Sequence, residues 1–197
     1  MTRLAEIDPD TLSGDLRAYY DAASPRDRML FTPTAHAPEL MGALHKFADV
    51  LDEKGTLPGR LVELVRLRIA FHNQCRSCMA MRYSTGLDDG LTEDLVCSLE
   101  KPYEAPDLSE AEKAALAYAD ISATNHFGID ASTFAELRKH FSEPEIVELG
   151  LYVAYFIGFG RMVAAWDMSE ELPDGFRDKS DKATPWSGES FVIRKYG

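Results

Sequence analysis

The chain has 197 residues, enough for one domain with a buried core. A composition 45% hydrophobic and 27% charged is that of a globular chain and excludes a disordered one. A net charge of −12 argues against nucleic acid, which needs clustered Lys and Arg, and against docking on anionic membrane surfaces.

Taken in chain order, helix signals recur and strand signals are weak. Residues 12–22 form a short amphipathic candidate. Residues 37–53 carry Pro38 in the first turn, then Leu40, Leu44, Phe47 and Leu51 at spacings of three and four. A helix over 58–72 follows the break from Gly55 to Pro58. The next, 76–85, stops at Gly86 as a C-terminal cap. Residues 92–99 open on Thr92, and 109–125 open with Ser109 and Glu112 at capping-box spacing. Residues 130–141 follow Gly128. Ser142, with Glu145, caps a long helix over 143–168. Its greasy part is interrupted by Glu148 and Arg161, and the stretch between them is too short to span a bilayer, so a buried core helix is expected. The aromatics between Leu151 and Phe159 read first as core and second as the wall of an apolar pocket. Gly158 and Gly160 suit a close helix approach.

The remainder, 169–197, contains Pro173, Gly175, Pro185 and Gly188 and shows no clear period. It reads as an extended arm. Its Trp186, Phe191, Val192, Ile193 and Tyr196 need a surface, either a neighbouring subunit or a groove of the same chain. The organisation expected is an N-terminal helix and linker over 1–36, an all-α compact multi-helix domain over 37–168, and the arm. The N-terminus lacks the apolar core of a secretory signal, so a cytoplasmic protein is expected.

Three cysteines, Cys75, Cys78 and Cys97, are too few and too uneven for a secreted disulfide framework. Cys97, alone in a short amphipathic helix, reads as a small core residue. The informative stretch is 61–86, LVELVRLRIAFHNQCRSCMAMRYSTG. Glu63, Arg66 and Arg68 sit within an almost wholly apolar helix. A buried carboxylate is costly unless paired. Glu63 is then either half of a structural pair with Arg66 or a carboxylate held to move protons. If Cys75 starts the next helix, then Cys75, Cys78 and Arg82 stack on one face. The helix N-terminus and Arg82 would both favour a thiolate, and the two sulfurs could close a disulfide within one turn. A zinc site through His72, Cys75 and Cys78, or two inert core cysteines, are the competing readings. His72 either faces the cysteines or caps its own helix; the other histidines read as surface or interface residues.

Glu63, eleven intervening residues and Cys75-Arg76-Ser77-Cys78 resemble the alkylhydroperoxidase D-like / carboxymuconolactone decarboxylase family. The surrounding Arg66-Leu67-Arg68-Ile69-Ala70 and Asn73 and the long helix after Phe141 fit the same resemblance, which extends loosely from Pro38 to Met168. The resemblance implies an all-α fold assembled as trimers or multiples of them. It implies a thiol peroxidase or disulfide oxidoreductase that needs no cofactor and no metal. Its substrate would be a small hydroperoxide or disulfide, its reductant a dithiol protein. Glu63 would be the relay carboxylate, Cys78 the peroxidatic thiol and Cys75 the resolving one. The helix-start argument alone favours attack by Cys75.

The sequence departs from the family's peroxidase members at two positions, where Ser77 and Arg82 replace histidines. Arginine cannot accept a proton at neutral pH, so Arg82, like Arg66 and His72, is expected to stabilise a thiolate or bind substrate. Two other functions stay open: a decarboxylase of a small carboxylated lactone, and a non-catalytic oligomeric module.

Overall fold

The computed structural model describes residues 2–186 and 189–193. Gly188 and Tyr196 of the arm lie outside the described residues. The N-terminal region holds two helices, α1 (Gly14–Ala22) and α2 (Pro25–His36). The second occupies what the sequence suggested to be linker. Ser24 accepts from the Asp27 N–H and Pro25 fills the first turn, so the start is well signalled; Pro33 inside the helix masks it.

Next come α3 (Pro38–Lys54), α4 (Gly59–Asn73) and a short α5 (Arg76–Ala80). The chain then extends as β1 (Met81–Tyr83) before α6 (Ser84–Asp88) and α7 (Glu93–Ser98). The larger helices α8 (Glu110–Thr124), α9 (Ala131–Leu137) and α10 (Glu143–Trp166) follow, then α11 (Asp174–Arg177) and β2 (Phe191–Ile193). The capping boxes at Ser109 and Ser142 form as their spacing predicts.

Helix α4 is the axis of the domain, packed between α8 and α10. Leu64, Val65, Leu67 and Ile69 are fully buried there, with Leu116, Ala119 and Leu149 around them. A second cluster gathers Cys75, Met79, Met168, Leu172 and Phe176 beneath the arm. Helix α10 is long and apolar enough by composition to cross a membrane. Only one face of it is core, however, and Val147 and Leu151 point outward. Both interrupting charges are used inside the fold. Glu148 accepts from the Thr56 and Leu57 N–H groups, and Arg161 donates to Asn73 and the Ala123 carbonyl. Gly160 meets α4 closely, a Cβ there lying 2.6 Å from Asn73, whereas Gly158 has open space.

The helix expected over 76–85 is broken at Met81. Two guanidinium groups capture the carbonyls a continuing helix would need. Arg66 donates to the Cys78 and Met81 carbonyls, both at 2.7 Å, and Arg82 to those of Met79 and Met81. The Tyr83 N–H, which a helix would send to Met79, goes to Glu63 at 3.0 Å. The freed segment pairs in parallel with β2, Met81 beside Phe191 and Tyr83 beside Ile193.

The arm packs on its own chain. Arg76 donates to the carbonyls of Phe176, Asp178 and Asp181. Gln74 exchanges hydrogen bonds with the backbone of Ala183. Gln74 sits in the left-handed region at φ 50°, unusual for a residue with a side chain, and this lock helps to hold it there. Trp186 packs against Phe71 with the rings tilted, centroids 5.1 Å apart, and Arg26 covers the Phe191 ring at 4.0 Å. Cys97, expected in the core, is exposed. Leu95, Val96 and Leu99 take the inward face of α7 and leave it outside.

The candidate active site

Cys75 caps the start of α5 and Cys78 lies one turn on; their sulfurs are joined in a disulfide, with Cα atoms 5.2 Å apart. The two differ in surroundings. Cys75 is 0% exposed, sealed in the cluster beneath the arm, with Ser77 Oγ 3.6 Å from its sulfur. Cys78 is half-buried and lines a cavity of about 820 Å³.

Glu63 and Arg66 form one wall of that cavity. Both are buried, at 2% and 5% exposure, and joined by two hydrogen bonds of 2.6 and 2.7 Å. Burial acts to lower the Arg66 pKa, but the Glu63 charge outweighs it and holds the guanidinium above its ordinary value. Arg66 also crosses the Tyr83 ring at 4.7 Å. Four of its five N–H groups are engaged; one on Nη1 has no partner among the described residues. Gly86 lets α6 come this close, since a Cβ there would meet Glu63 Cβ at 2.7 Å.

The opposite wall comes from α10, through Tyr152, Tyr155, Phe156 and Phe159. Burial pushes the Tyr152 and Tyr155 phenols up, with Asp52 adding to both. The aromatic run therefore serves as pocket wall as well as core. Asp49, Asp52 and Glu53 of α3 complete the lining with His45, so four carboxylates face the cavity against one guanidinium.

Arg82 and His72 are not in this group. Arg82 is 1% exposed and all five of its N–H groups are spent, on Glu93 and on the Met79, Met81 and Pro185 carbonyls. It ties β1 to the arm. The stacking of Cys75, Cys78 and Arg82 expected from an unbroken helix does not occur. His72 Nε2 lies 2.6 Å from Asp120, which also accepts from Arg68 and Tyr103. The zinc reading needs His72 beside the sulfurs, and among the described residues no three potential ligands gather as a metal site. Sequence reasoning passed over Tyr83 altogether. Its signal was available, one residue beyond Arg82, but only an extended backbone there makes it visible.

A family model described as the carboxymuconolactone decarboxylase family matches residues 38–120. Two uncharacterised proteins from strains of Mycobacterium tuberculosis are 40% identical over 89 residues, which is 44% of this chain and 31% of theirs. The match thus spans about a third of the length of these relatives. A peroxidase-related protein of Ralstonia eutropha, described as an alkylhydroperoxidase AhpD core, superposes with a TM-score of 0.66 at 22% identity, covering 95% of this chain and 98% of that one. A peroxidase-related protein of a Silicibacter species gives 0.60 at 15% identity, covering 75% and 78%. These two likenesses concern the fold. The matched segment, which holds Glu63 and both paired cysteines, is similar to the carboxymuconolactone decarboxylase family.

Proposed function

We propose that the chain is a thiol-dependent oxidoreductase of antioxidant type, which reduces a hydroperoxide or disulfide through Cys78 and Cys75. The observation that carries this reading is the asymmetry of the pair: Cys78 opens on the cavity while Cys75 is sealed behind it. In the reduced protein the accessible sulfur meets substrate, and the buried one waits one turn away to resolve the product. Arg66 supports the Cys78 thiolate better than Arg82 can, because it lines the cavity and keeps one N–H unspent. Glu63 holds Arg66 and the Tyr83 backbone in place. The electrons for the next cycle would come from a dithiol protein.

The lactone decarboxylase reading has less support. Its anionic substrate would enter a cavity whose carboxylates outnumber its cations, with the one guanidinium already paired. A purely structural role for the cysteines does not account for the opening at Cys78. We also read the protein as cytoplasmic and as a homo-oligomer, a trimer or a multiple of one. The outward Leu40, Phe47 and Val50 of α3 and Val147 and Leu151 of α10 support assembly. A monomer mass by light scattering would refute it.

The deciding experiment is peroxide consumption with a dithiol reductant. Wild type turns over, and Cys78→Ser abolishes turnover while Cys75→Ser stalls as a sulfenic acid at Cys78. A wild type without turnover, or a Cys78→Ser protein that keeps it, sinks the proposal.

A further inference from the structure

We propose that the Tyr83 hydroxyl gives its proton to the leaving oxygen when Cys78 cleaves an O–O bond, filling the place of the histidine the sequence lacks. This rests on the peroxide-reducing reading above.

The argument begins with the backbone. Along an extended strand alternate side chains point to opposite sides. Met81 and Tyr83 accordingly line the cavity, while Arg82 turns away and is fully consumed. The helix break thus withdraws the residue four positions after Cys78 and presents the one five positions after it. Tyr83 is fixed at three points: its N–H donates to Glu63, its ring lies against Arg66, and its backbone pairs with Ile193. Its hydroxyl has no hydrogen-bond partner among the described residues. Tyr83, Arg66 and Cys78 also share a side pocket of about 40 Å³. A water occupies roughly 30 Å³, so this space suits peroxide oxygens and leaves the alkyl body to the larger cavity.

Other donors fit less well. Both Glu63 oxygens already accept, from three N–H groups in all, so a proton there would displace part of the ion pair. Ser77 lies against Cys75, the sealed sulfur. Tyr155 shares the pocket but is packed against the Phe47, Phe156 and Phe159 rings. Burial pushes the Tyr83 phenol up, as do Glu63 and Asp52, against the opposing pull of Arg66. The group therefore keeps its proton at neutral pH and acts as a donor.

In the step itself, the Cys78 thiolate attacks the terminal oxygen of ROOH. The S–O bond forms, the O–O bond breaks, and its electron pair leaves on RO, which takes the Tyr83 proton and departs as ROH. The peroxide is reduced by two electrons and Cys78 is oxidised to a sulfenic acid. The tyrosinate regains a proton as the Cys75 thiol ionises. Cys75 then attacks the Cys78 sulfur, the disulfide forms, and hydroxide leaves as water with the proton Cys78 released on ionising.

The test compares two oxidants with reduced full-length protein in single turnover. tert-Butyl hydroperoxide expels a strongly basic alkoxide, whereas peracetic acid expels acetate, which needs no proton. Tyr83→Phe removes only the hydroxyl. It is expected to slow reaction with tert-butyl hydroperoxide about 100-fold and with peracetic acid less than about threefold. Native-state alkylation of reduced Cys78 is expected to be unchanged. Equal losses on both oxidants, or none on either, overturn the proposal. A wild type inert to both removes the peroxidase reading as well, whereas an active wild type with an unimpaired Tyr83→Phe removes the tyrosine alone.

Discussion

Helix α4 carries two clusters of charge on nearly opposite faces, one half-buried and one buried, and they differ in what lies beside them. On one face Arg68, His72 and Tyr103 converge on Asp120, and Arg68 also takes the Leu99 carbonyl. None of these four residues lines the cavity. On the other face Glu63 and Arg66 are paired as closely, yet they border the cavity with Cys78 and Tyr83. Both clusters satisfy the demand that buried charge be paired. What separates a strut from a candidate site is the open space beside it and, on Arg66, one N–H with no partner among the described residues. From sequence alone the two faces look alike: a carboxylate or histidine within reach of an arginine on a greasy helix.

The largest expected break in this comparison is Arg66→Met. It leaves the Glu63 carboxylate buried without its partner and frees the Cys78 and Met81 carbonyls that end α5. Removing one member of a buried pair costs about 3–5 kcal/mol. Chemical denaturation is expected to show a loss of that size, and alkylation of reduced Cys78 at neutral pH should slow as its thiolate loses support. A double variant, Glu63→Leu with Arg66→Met, should recover part of the stability but none of the thiol reactivity. If the single variant is as stable and as reactive as wild type, Arg66 is neither strut nor thiolate partner.

How much of this was legible beforehand follows the range of the interactions concerned. The expected helices over 37–53 and 58–72, and the caps at Thr92, Ser109 and Ser142, are local matters of periodicity and side-chain bonds to nearby N–H groups, and they form within a residue or two. The Glu63–Arg66 pair was legible for the same reason, being three residues apart on one helix. The break at Met81 was not. Local propensity favours a helix through Thr85, and it loses to Arg66, from a different helix, and to a strand contributed by residues 191–193. That one long-range event moved Arg82 out of the site and Tyr83 into it. The arm was likewise opaque, because Phe176 and Leu172 enter the core only through a turn with no periodic signal.

A smaller effect should come from the other face of α4. Burial acts to raise the Asp120 pKa, but hydrogen bonds from His72, Arg68 and Tyr103 outweigh it and hold the carboxyl at about 2. In the unfolded chain an aspartate titrates near 3.9, so the fold favours the ionised form. The resulting stabilisation, on the order of 2 kcal/mol at 1.36 kcal/mol per unit, is complete above about pH 4. It fades as pH falls toward 2 and is absent below. Asp120→Asn is therefore expected to lose about 2 kcal/mol at neutral pH and to show a shallower decline between pH 4 and 2 in denaturant midpoints. Because none of the Asp120 cluster touches the cavity, thiol reactivity at Cys78 and peroxide turnover should stay as in wild type. A variant that keeps its stability but loses turnover would reverse the assignment of the two faces, and would bring His72 back toward the chemistry that its sequence position first suggested.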